Sequence, residues 1–196
     1  MSISLAKGQS IDLTKTSGAA LTKVRMGLGW DVKLVEKRSI FGRTRTVEKA
    51  IDLDASALLI GGGKVGETIY FGHLRSKDGS IVHTGDNLTG KGDGDDESIV
   101  VDLPQVASWV EHIVFTVNSY SGDTFADIDN ASVRVVDSTD RDAELGRFTL
   151  TGSGPHTALV MAKVSRTPAG WTFTAIGRPG NGRTAQQLAP LALECL

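Results

Sequence analysis

The sequence predicts a mainly β protein, a β-sandwich of two antiparallel sheets with a few short helices. Three observations carry that reading. Short alternating or β-branched segments follow one another nearly throughout, turn residues separate them at the intervals of a sandwich, and 196 residues with 40% apolar content suffice for one good core. We therefore expect a single domain over residues 1–196, with no internal repeat or linker.

In order, the strands are expected at 11–15, 23–30, 51–60, 67–73, 98–103, 112–120, 132–138, 146–152, 157–167 and 170–177. Between the second and third, VKLVEK and TRTVEK alternate about a turn near Phe41 and Gly42, giving a hairpin over 33–49 whose Lys and Arg line the solvent face. Pro168-Ala169-Gly170 is a hairpin turn. Residues 103–112 and 125–131 read as short helical turns, and 184–196 as a terminal helix interrupted by Pro190. The GGGK at 61–64 lacks the first Gly at P-loop spacing and a Ser or Thr after Lys64, so it reads as a turn between strands.

Composition excludes several classes of function. A net charge of -2, with Lys and Arg clustered only in 33–49, gives no general pull toward nucleic acid. A single cysteine, Cys195, excludes an intramolecular disulfide framework and a Cys-rich metal site, and makes reductive thiol chemistry by this chain alone unfavourable, since two thiols are needed to cycle. The N-terminus lacks the apolar core of a signal peptide, and no run approaches the roughly 18 apolar residues of a spanning helix, so the expected home is the cytoplasm.

The chemistry concentrates in HTGDNLTGKGDGDDESIVVD (83–102), where Asp86, Asp93, Asp95, Asp96, Glu97 and Asp102 are offset only by Lys91. Carboxylates this dense repel one another unless water, protons or a cation relieve them. Glycines at 85, 90, 92 and 94 let the chain turn and bring carbonyls inward, and Asn87 adds a neutral oxygen; Ca2+ takes six to eight oxygens of this mixed kind. The alternative reading is a solvated acidic loop. EF-hand spacing fails, because a loop starting at Asp86 has Leu88 and Gly90 at its third and fifth positions, and one starting at Asp93 ends on Pro104. Upstream, strand alternation puts Asp52, Asp54 and Ser56 on one face, opposite Ile51, Leu53, Ala55 and Ala57. Two adjacent carboxylates on a buried strand ask for something positive.

The blocks GLGWD (27–31), DLDASALL (52–59), HTGDNLTGKGDGDDE (83–97) and NSYSGDTFADIDNASVRVVD (118–137), in this order, resemble the tellurium-resistance TerD family. The resemblance runs from about Ile3 to Gly177, leaving 181–196 as a variable tail; the long basic hairpin and FGHL at 71–74 depart from the family pattern. It implies a β-sandwich that binds calcium through acidic loops at one end, in a cytosolic bacterial protein of tellurite and stress resistance. The implied metal residues are Asp31, Asp52, Asp54, Asp86, Asn87, Gly92, Asp93, Asp95, Asp96 and Glu97. Because each acidic segment alone supplies too few carboxylates, a composite site for two Ca2+ ions is expected. The expected role is non-catalytic, a regulatory or scaffold component with protein partners in a stress-response complex, its membrane association left open, and with no small-molecule substrate. The rivals are a calcium-dependent phospholipid-binding module similar to C2 domains and a metal-dependent enzyme. No P-loop, HExxH or G-x-S-x-G motif supports the second.

Overall fold

The structure, a computed structural model, describes residues 2–15, 17–32, 34–38, 44–48, 51–85, 94–150 and 154–196, with backbone alone for 32, 34–38, 44–48, 129 and 130. Alternation organises it into β1 (Ile3–Ser4), β2 (Ser10–Asp12), β3 (Lys23–Val32), β4 (Leu34–Arg38), β5 (Thr44–Glu48), β6 (Leu53–Gly61) and β7 (Lys64–Ile69). Then follow β8 (Ile81–His83), β9 (Glu97–Asp102), β10 (His112–Ser119), β11 (Ile128–Asp137), β12 (Ala143–Thr149), β13 (Ala158–Thr167), β14 (Gly170–Gly180) and helix α1 (Ala185–Leu193).

The strands form two six-stranded sheets, ordered β1-β12-β11-β3-β9-β8 and β2-β14-β13-β10-β6-β7, while β4 and β5 make the separate hairpin expected over 33–49. Its tip at Phe41 and Gly42 lies outside the described residues. Pairing is antiparallel except at one edge, where β1 runs parallel to β12. The inward residues of both sheets, among them Met26, Leu28, Trp30, Ile51, Leu53, Val117 and Phe173, make the main core. A second, smaller core lies on the outside of the second sheet, where Leu58, Ile60, Val114 and Val160 pack against Ala185 and Ala192 of α1. This is why β6 is buried on both faces and why its second half, from Ala57 to Ile60, is apolar without alternation.

Several boundaries differ from the sequence reading. The short strands β1 and β8 were not legible, being two and three residues long. The helical reading of 103–112 reduces to one 3-10 turn at Leu103–Gln105, because Pro104 supplies a helix start and the chain must then enter β10. Residues 125–131 form a 3-10 turn at Phe125–Asp127 and then the first part of β11. Pro190 sits inside α1 without ending it. The GGGK segment is a hairpin: Gly62 and Gly63 both have positive φ (58° and 70°), as a two-residue type I′ connection requires.

Candidate functional site

One end of the sandwich gathers the acidic residues, and ladder geometry decides where each points. Strands β3 and β9 pair from Lys23↔Asp102 to Leu28↔Glu97. One step further, the Asp96 N–H still donates to the Leu28 carbonyl (2.8 Å), while the Asp96 Oδ2 accepts from the Trp30 N–H (2.9 Å). A carboxylate thus replaces the next backbone rung. Burial pushes the Asp96 carboxyl above its ordinary value, the Trp30 N–H opposes that, and the neighbouring charges of Asp31 and Asp95 push it further up.

Asp95 lies on the outer face of the first sheet, above Gly27. Its carboxylate pairs with Arg25 and takes two bonds from Arg134, Nε to Oδ1 at 2.6 Å and Nη2 to Oδ2 at 3.1 Å. Arg134 faces Gly27 across the β11–β3 pair, and Arg25 lies two residues along the same face. A Cβ at Gly27 would overlap the Asp95 carboxylate. The two arginines continue the network to Asp142 (3.0 Å from Arg25) and Glu144 (3.4 Å from Arg134). Hydrogen bonding from Arg147 above all, against the pull of burial and helped by Ser2 and Arg134, holds Glu144 down at about 2.

Glu97 turns inward and is 1% exposed. Strand β7 pairs with β6 only as far as Ala57↔Ile69, so the backbone of Ala55 needs other partners. Glu97 Oε2 accepts the Ala55 N–H at 2.6 Å, and the Ala55 carbonyl accepts from His83 Nε2 at 3.2 Å. The Gly85 N–H donates to His83 Nδ1 (3.1 Å), which assigns the ring proton to Nε2. Together the buried His83 and Glu97, 3.5 Å apart, stitch β8 and β9 of one sheet to β6 of the other.

On β6 the expected split of faces holds. Ile51, Leu53, Ala55 and Ala57 enter the main core, and Asp54 and Ser56 are buried on the opposite face, which carries α1 further along. There the Asn118 amide donates to Asp54 Oδ2 (3.1 Å), a neighbour the sequence reading did not supply. Asp52 is half-buried just ahead of β6. Trp30 joins the two acidic segments: its N–H holds Asp96, and its indole Nε1 donates to the carbonyl of Ile51, the residue before Asp52, at 3.3 Å.

The charges of Asp31 and Asp95 therefore act on Asp96, and Trp30 links Asp96 to the carbonyl just ahead of Asp52. Asp54 accepts from Asn118, and Glu97 accepts from Ala55. Asp86, Asn87, Gly92 and Asp93 lie outside the described residues, and among the described residues no three His, Cys, Asp or Glu side chains are arranged to hold a metal ion. Sequence reasoning missed Arg25, Arg134 and the anchoring role of His83. The usable signal was MGLG at 26–29, which removes two side chains from one face of a strand.

A sandwich closed at one end by buried and clustered carboxylates defines the class: a β-sandwich with an acidic-loop end. The TerD domain model matches residues 1–192, and the chain belongs to that family. It is 44% identical over 187 residues to the tellurium resistance protein TerZ of Serratia marcescens, covering 95% of this chain and 94% of that one. It is 40% identical to the stress response protein SCP2 of Bacillus subtilis (strain 168), covering 92% and 94%. Among solved structures, the homologue of telluride resistance protein (TerD) SCO6318 from Streptomyces coelicolor A3(2) superposes with a TM-score of 0.67 at 23% identity, covering 87% of this chain and 96% of that one; this likeness concerns the fold alone. The relatives are named as resistance and stress proteins, not as enzymes. Among the described residues no helix is long and apolar enough to cross a membrane.

Proposed function

We propose that this chain is a calcium-binding, non-catalytic component of tellurite and stress resistance in the cytoplasm, acting through protein partners. The observation that carries the reading is the Asp96 carboxyl, held above its ordinary value first by burial and then by the neighbouring charges of Asp31 and Asp95. A hard divalent cation relieves that repulsion and suits carboxylate oxygen. The ligands would be drawn from Asp31, Asp52, Asp54, Asp95, Asp96 and Glu97, with the loop residues Asp86, Asn87, Gly92 and Asp93 completing the set for two ions. The names of the relatives support the physiological setting.

Calorimetric titration of Ca2+ into chelator-treated protein, in millimolar Mg2+, tests the reading. A saturable heat with a parallel change in Trp30 emission is expected, and both should vanish in an Asp93→Asn, Asp96→Asn double variant. Silence in both channels, with an unchanged melting temperature, returns the loop to a solvated acidic segment. Calcium-dependent sedimentation with anionic vesicles would instead favour the phospholipid-binding alternative.

A further inference from the structure

Strand β3 is bare on its outer face beside the acidic end. Met26, Leu28 and Trp30 enter the core, so Gly27 and Gly29 fall on the opposite face and leave it without side chains at two successive positions. The segment that leads into β9 crosses this gap. A Cβ at Gly29 would meet the Gly94 carbonyl at 3.1 Å, and one at Gly27 would overlap the Asp95 carboxylate. Gly94 makes the approach with a φ of 104°, which a residue with a side chain rarely adopts. Residues 94 and 95 are thus laid over β3 just before β9 begins at Glu97.

Two guanidinium groups close over the crossing. Arg134 donates to both oxygens of Asp95 and Arg25 to Oδ2, so three charge-assisted bonds use most of the roughly four lone-pair directions that a carboxylate offers. The clamp is itself braced. Arg25 also donates to Ser98 Oγ (3.2 Å) and to Asp142 (3.0 Å), and Arg134 to Glu144 (3.4 Å). Asp96, the next residue, is held separately by the Trp30 N–H at 2.9 Å. Fixing Asp95 therefore also fixes the backbone from which the Asp96 carboxylate departs.

We propose that Arg134, aided by Arg25, is a positioning residue of the cation site: through Asp95 the two arginines pin this segment on β3, which presents Asp96 to the ion and keeps Asp95 out of its shell. This role rests on the calcium reading and removes one acid from its ligand set. Charge and position predict opposite signs. A fixed positive charge beside a cation site weakens it by Coulomb repulsion, so removing an arginine would tighten binding if charge alone acted. A group that orients the site does the reverse, and its loss lowers metal affinity by about 10–100-fold.

Calorimetric titration of Ca2+ into the chelator-treated full chain, with a melting curve for every variant, separates the two. Arg134→Gln should weaken binding by about tenfold or more, and so should Arg134→Lys, which keeps the charge but not the two-pronged contact. Asp95→Ala should weaken it by a similar factor. In that background Arg134→Gln should change the affinity by less than about twofold, because the arginine has lost the group through which it acts. Tighter binding in Arg134→Gln overturns the proposal, as does an equal loss with and without Asp95. Complete loss of the saturable heat in Asp95→Ala also overturns it, by making Asp95 a ligand. Where Arg134→Gln melts below the temperature of the titration, Arg25→Gln takes its place, with a smaller loss expected and unchanged or tighter binding overturning the role. A wild-type chain silent to Ca2+ fails the calcium reading and this role with it, whereas a wild-type chain that binds Ca2+ while the arginine variants bind as well or better fails this role alone.

Discussion

Replacing Gly27 by Ala is the most informative small perturbation of this fold. The added methyl would overlap the Asp95 carboxylate, so Asp95 must leave the socket between Arg25 and Arg134. These side chains are mostly shielded, 7% exposed for Asp95 and 17% and 23% for the arginines. Breaking a fully buried pair costs about 3–5 kcal/mol and an exposed one about 0–1, which puts this network between, at about 2–3 kcal/mol. Ala is favoured over Gly in a strand by roughly 0.5–1 kcal/mol, leaving a net loss of about 2 kcal/mol. For a chain of this size that is a fall of about 4–8 °C in melting temperature. Thermal denaturation by circular dichroism in chelator measures it. Gly29→Ala is the control, since its Cβ would meet the Gly94 carbonyl at 3.1 Å and Asp96 Oδ2 at 3.9 Å without overlapping either, and should cost less. A Gly27→Ala melting point equal to wild type would refute the socket.

Other substitutions separate structural acids from ion ligands. Glu97→Ala strands the buried Ala55 N–H and should cost about 2–3 kcal/mol in urea titration, whereas Glu97→Gln keeps an acceptor and should cost less than about 1; equal effects would remove Glu97 from that role. Asp96 is raised above its ordinary value of 3.8, so the native chain holds more protons across that interval and stability falls as pH rises through it. Asp96→Asn keeps an acceptor for Trp30, removes the repulsion, and should therefore raise the melting temperature in chelator at neutral pH by on the order of 1–2 °C while lowering the calcium response. Asp78 behaves oppositely: burial pushes it up, but bonds from Ser76, Ser80 and the Ala107 N–H hold it down at about 2. Its contribution is full above 3.8 and lost as pH falls toward 2, so Asp78→Ala should destabilise by about 1–2 kcal/mol at pH 7 and flatten the acid limb of a pH–stability profile.

The fold was legible wherever alternation was long. Strands β3, β6, β10, β13 and β14 fall close to where period-two patterns put them, because eight or more residues leave little freedom of register. The pairings that complete the sheets were not. Strand β8 is three residues long and is recognisable only by its pairing with β9, and β1 consists of two residues whose parallel contact with β12 crosses the whole chain. Nor did the sequence disclose the outer layer. The apolar run of β6 fits both a single buried face and two, and only the packing of α1 on Leu58 and Ile60 decides between them.

The candidate site was legible as a cluster but not as a set of roles. Asp95, Asp96 and Glu97 are consecutive, and composition treats them as equivalent charges. At the end of a strand they cannot be equivalent, because successive side chains diverge and the ladder runs out between them. Asp95 crosses to the outer face and meets two arginines, Asp96 stays in the plane and replaces a backbone rung on Trp30, and Glu97 turns inward to replace another on Ala55. Each thereby answers a demand that the sheets themselves create: an arginine pair above a glycine, an edge N–H beyond β9, an edge N–H beyond β7. Asp96 is held above its ordinary value by burial and then by the neighbouring acids. An ion in the loop would act first on Asp96, and through the Trp30 backbone and indole on the carbonyl before Asp52. Trp30 is therefore the residue that ties the Asp96 carboxylate to the segment leading into β6.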